Sequence, residues 1–215
     1  MFPNAKKCIS KIFVSEILFL IATICASLAS VNITLAISNS GANVVVGLVL
    51  LLASLVLVII AGIMQIVGLT NGSKDSSMFR YALFFVIFSL VLAAISAFFK
   101  QYDERSMLAF GFVPNYILVS VSDALNKILD LIVMFFVIGG IRELITDKEL
   151  LKTTKKIAIL ACIAILISLV LNLIVQFSAT IVTVMSVVLS LGAMVCSIIF
   201  YIMYLVVLAK AKKIL

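Results

Sequence analysis

Histidine and tryptophan are absent, proline occurs twice, cysteine four times, and charged residues make up only 12% of the 215-residue chain. Each shortage removes a class of function. Without histidine the chain lacks the commonest metal ligand and the side chain best suited to proton transfer near neutral pH. Cys8, Cys25, Cys162 and Cys196 show no C-x-x-C or paired spacing, so neither a disulfide framework nor a zinc site is expected. No nucleophile elbow or H-E-x-x-H helix occurs, and the glycines between Gly68 and Lys74 have the wrong spacing for a phosphate loop. Enzymatic activity, a cofactor and a metal are accordingly not expected. An apolar share of 65%, against about 45–50% in soluble domains, excludes a soluble globular protein.

What is present is a succession of apolar runs, each about the 20 residues needed to cross a bilayer as a helix. Six can be counted, at approximately 12–37, 42–69, 79–99, 116–141, 157–177 and 181–209. Ser38 to Gly41, Asn71 to Asp75, Lys100 to Arg105 with Pro114 beyond, and Thr146 to Lys156 punctuate them. The sequence therefore predicts an all-α polytopic membrane protein, a single six-helix transmembrane bundle over 1–215. The first run is read as a span, being longer than the apolar core of a cleaved signal.

The net charge of +7 fits this reading. Lys6, Lys7, Lys11, Lys74, Arg80, Arg142, Lys148, Lys152, Lys155, Lys156, Lys210, Lys212 and Lys213 fall on one side of the six spans, and only Lys100 and Arg105 on the other. Positive residues collect in short cytoplasmic loops. Both termini are thus expected in the cytoplasm and the protein in the cell's plasma membrane. No long basic or aromatic-basic segment suggests nucleic acid as a partner. The expected partners are the lipid bilayer and, through helix faces, another membrane protein or a second copy.

Small residues four apart mark candidate packing faces: Ala22 and Ala26, Ala93 and Ala97, Ala193 and Ser197. Ala22-x-x-x-Ala26 in the first of six spans resembles the substrate-binding subunits of energy-coupling-factor vitamin transporters, which are also of about this size. That resemblance implies docking of the first span on another membrane subunit. The Gly- and Trp-rich ligand loops of those subunits have no counterpart here. Ser89-Leu90-Val91-Leu92 returns as Ser168-Leu169-Val170-Leu171, hinting at three stacked helical hairpins. Thr146-Asp147-Lys148-Glu149 fits a capping box with Thr146 as the cap, which places Lys152, Lys155 and Lys156 at the level of the lipid headgroups.

One constellation is energetically expensive. Asp123, Lys127 and Asp130 in the fourth run lie within about 60° of one another on a helix, with Ser120 and Asn126 flanking them. A Lys or Asp facing lipid at mid-span costs about 2.5–3.5 kcal/mol. The stripe must therefore face the bundle, an aqueous cavity or the outer headgroups. Three readings stand open: an ion, proton or solute site, an interfacial segment, and a buried salt-bridge network that fixes register. Asn32, Asn43, Asn172, Gln176, Thr183, Ser186 and Ser190 also fall in the outer halves of their spans, as they would around an outward-facing vestibule above an apolar plug. Asp123, Asn126, Lys127, Asp130, Asn172 and Gln176 are the candidate contacts for a small solute or ion. Glu16 is expected to be an interfacial acid reaching the cytoplasmic headgroups. The alternative function is a non-transporting scaffold or accessory subunit.

Overall fold

The computed structural model describes the backbone at 2–37, 44–110, 116–177 and 183–215, and side chains at 2–35, 44–95, 125–163, 167, 192 and 195–215. Regular structure among the described residues is helical throughout: α1 (Pro3–Ile37), α2 (Val44–Gly72), α3 (Ser77–Phe110), α4 (Tyr116–Leu144), α5 (Lys148–Phe177) and α6 (Thr183–Ile214). Among the described residues, four stretches, Pro3–Leu35, Val44–Gly72, Ser77–Ile95 and Val195–Ile214, are long and apolar enough to cross a membrane. The charged segment from Lys100 to Arg105, expected as a linker, lies inside α3. Its residues are good helix formers, and neither glycine nor proline occurs before Gly111.

Between α1 and α2 the chain forms a close seam of small residues. Cys8, Ser15, Ala22 and Ala29 follow one another at seven-residue spacing on α1, and all are buried. Gly47, Ser54, Ala61 and Gly68 do the same on α2. The two rows run antiparallel. A methyl group added at Gly68 would lie 3.2 Å from the Cys8 carbonyl oxygen, and one at Gly47 would lie 3.3 Å from that of Ala29. Backbones this close gain van der Waals contact along their length, the main attraction left to helices surrounded by lipid. Each row extends about 32 Å at the helical rise, close to the thickness of a hydrocarbon core. The opposite face of α2 carries Val45, Leu52 and Ile59, exposed by 64%, 60% and 54%.

α3 and α4 form a second hairpin, α5 and α6 a third, and α6 returns to α1. Their open ends gather where α1 begins and α6 finishes. Phe79, fully buried, is the pivot there: its ring occupies the space a side chain at Gly140 would need and also closes on Gly72. Around it Ile9, Ile12, Leu69, Val137, Ile141, Ile157, Val207 and Leu208 make a continuous apolar core.

Helix starts at this end are tied down by carboxylates. Asp75, in the turn after α2, accepts from the Ala5 N–H at 2.7 Å and from Asn4 Nδ2 at 3.1 Å. Ser76 Oγ accepts from the Met78 N–H at the start of α3 and donates to Glu143 Oε2 at the end of α4. Asp147 Oδ1 accepts from the N–H groups of Glu149 and Leu150. The cap of α5 is therefore Asp147, one residue later than the expected Thr146. An aspartate at that position meets the free amides and the positive end of the helix dipole together.

The seam can be tested by filling it. Gly68→Leu should lower the apparent Tm of the purified protein by about 3–10 °C, the equivalent of about 1–3 kcal/mol of overpacking. Gly62→Leu, at a position with open space around it, should change Tm by about 1–2 °C at most. Equal responses would show that α1 and α2 do not approach as described.

Candidate functional site

The apolar core stops abruptly on α4. Met134, Val137 and Ile141 share a helix face with Asp130 and are buried, whereas Asp130 itself is exposed. Lys127, one turn farther along the same stripe, is exposed as well, and Asn126 is half-buried. The Asn126 Oδ1 atom is inaccessible and has no hydrogen-bond partner among the described residues. An amide oxygen in that condition is an acceptor awaiting a donor or a cation.

Two other helices bring polar groups to this level. Glu16 of α1, half-buried, lies within electrostatic reach of Asp130. Tyr201 of α6 donates its hydroxyl hydrogen toward the Glu16 carbonyl oxygen, 2.6 Å away, with Glu16 Oε2 at 3.1 Å. Glu16, Asp130 and Tyr201 each lie about 20 Å from the end of their helix nearest the apolar core, counted from Pro3, Leu144 and Ile214 at about 1.5 Å per residue. Three helices thus contribute to one polar layer resting on a packed apolar plug.

Glu16, expected as an acid reaching the headgroups, has a partner inside the bundle. The Tyr201 hydroxyl supplies that partner from α6. Pairing between the first and last spans was not legible in the sequence, because Tyr201 stands in an unbroken apolar run. Its one signal is depth: residues 16 and 201 fall at matching heights once both helices are counted from the same end.

Of the other candidates, Lys152, Lys155 and Lys156 are exposed on the first turns of α5, Ala22 is buried in the seam with α2, and Ala26, Ala93 and Ser197 are exposed. The side chains of Asp123, Asn172, Gln176, Ala97 and Ala193 lie outside the described residues. Among those described, no group of three metal-ligating side chains occurs. Compared with protein-family models, curated proteins and solved structures, the chain matches none, so function is argued from the site.

Tyr201→Phe removes the one hydroxyl bonded to Glu16 among the described residues. The substitution should lower the apparent Tm by about 3–6 °C, as expected for losing a hydrogen bond worth about 1.5 kcal/mol to a charged partner. In a Glu16→Gln background the loss should be smaller, since only the carbonyl contact and a neutral amide remain. Equal losses in both backgrounds would remove the carboxylate from the account.

Proposed function

We propose that this protein binds or moves a small cationic solute or ion across the cell membrane, through a polar cavity whose base is the Glu16, Asp130 and Tyr201 layer. In this reading the chain crosses the bilayer six times, both termini are cytoplasmic, and the apolar plug around Phe79 faces the cytoplasm. The thirteen basic residues from Lys6 to Lys213 at the plugged end support that orientation. The observation that carries the proposal is that carboxylates from two helices distant in sequence, α1 and α4, lie within electrostatic reach of each other. Like charges at mid-span are unfavourable unless a cation, a proton or water attends them. Charged groups retained inside a membrane most often serve a permeation path.

The arrangement suits a cation approaching from the outer side. Carboxylate, amide and phenol oxygens provide hard donors, and Lys127 carries the counter-charge while the site is empty. The alternative, a non-transporting scaffold or accessory subunit, would dock through the exposed Ala26, Ala93 or Ser197, since Ala22 is buried.

Proteoliposomes loaded with a pH-sensitive dye and given an imposed sodium, potassium or proton gradient test the proposal. The wild-type protein should dissipate at least one of these gradients. Glu16→Gln and Asp130→Asn should each reduce the rate by about tenfold or more while reconstituting to the same level. No flux from the wild type, or unchanged flux in both variants, would contradict it.

A further inference from the structure

At the plugged end basic residues far outnumber acids, and three of the four acids present, all but the exposed Glu149, are already engaged. Asp75 is held by Asn4 and Ala5, Glu143 by Ser76, and Asp147 by the first amides of α5. Each carboxylate stabilises a helix start or a hairpin end instead of a lysine. Among the described residues, none of the thirteen lysines and arginines at this end forms an ion pair.

That surplus is densest on the third hairpin. Lys152, Lys155 and Lys156 lie on the first turns of α5, and Lys210, Lys212 and Lys213 on the last turns of α6, which packs against α5. All six are exposed, whereas Leu150, Thr154, Ile157, Leu208 and Ala211 between them are buried. The lysines are therefore turned outward from a rigid base. Lys212 Nζ stands 5.9 Å from the centre of the Phe13 ring, which extends the patch towards α1. Lys210, Lys212 and Lys213 fall within about one turn of the end of the apolar run at Ala209, the height expected of the membrane surface.

We infer that the paired ends of α5 and α6 form a binding surface for acidic phospholipids, the six lysines meeting the headgroup phosphates. Mobile ammonium groups without carboxylate partners attract phosphodiesters at an interface. The tethered acyl chains place those phosphates at the depth of Lys155 and Lys156. Along α6 this surface lies about 14–18 Å from Tyr201 and stands whether or not the protein transports anything.

The test is thermal unfolding of the purified full-length protein in neutral detergent, titrated with phosphatidylglycerol or with phosphatidylcholine. Phosphatidylglycerol should raise Tm by about 3 °C or more, and phosphatidylcholine should not. The gain should vanish in about 1 M salt, where the screening length falls to about 3 Å. Lys152→Gln/Lys155→Gln/Lys156→Gln and Lys210→Gln/Lys212→Gln/Lys213→Gln should each lose more of the gain than Lys6→Gln/Lys7→Gln/Lys74→Gln. Should a triple variant fail to fold, Lys155→Gln and Lys212→Gln are compared with Lys7→Gln. Equal gains from the two lipids, no gain from phosphatidylglycerol, a gain that survives salt, or equal losses across the variants would overturn the assignment.

Discussion

Close backbone approach between α1 and α2 is the interaction on which the rest of the structure depends. Lipid tails are as apolar as leucine, so a chain this hydrophobic gains little from burying one greasy face against another in a membrane. What distinguishes one arrangement from another is how near two helices can come. Small residues at seven-residue spacing allow that nearness over a full membrane thickness, and the antiparallel rows fix the register of α1 on α2. That register places Cys8 against Gly72 and sets Asp75 over the first amides of α1. The pivot at Phe79 then has two glycines, one on α2 and one on α4, to close upon.

The polar layer follows from the same geometry. An apolar plug assembled at one end leaves Glu16, Asp130 and Tyr201 at its upper boundary, where packing ceases to shield them. Their common height is a consequence of helices that start or stop in one plane, since every residue advances its helix by about 1.5 Å. A structure with the same composition and a slipped α1 would strand Glu16 in hydrocarbon without the Tyr201 hydroxyl. The seam and the layer are in this sense one design, with the first securing the position of the second.

Much of the helical organisation was legible in advance, because long apolar runs and polar interruptions follow directly from bilayer thickness and backbone hydrogen bonding. The seam was also written in the sequence. Its spacing is seven residues and not the four of the familiar small-residue motif, and the rows Cys8 to Ala29 and Gly47 to Gly68 mix cysteine, serine, alanine and glycine. The cap at Asp147 was misplaced by one residue, a choice that turns on which side chain reaches the free amides. Asp130 and Lys127 share a stripe of α4 that their spacing alone reveals. Glu16 and Tyr201 could not be paired, since nothing local links residues 185 positions apart and only the return of α6 to α1 brings them together.

The central claim is that water reaches the polar layer and stops at the plug. Single cysteines at Lys127, Asp130, Met134 and Val137, in a background with the four native cysteines replaced, probe this directly when an impermeant thiol reagent is added to intact cells. Labelling at 127 and 130 with protection at 134 and 137 is the result expected. Protection at all four positions, or labelling that continues to 137, would contradict the account.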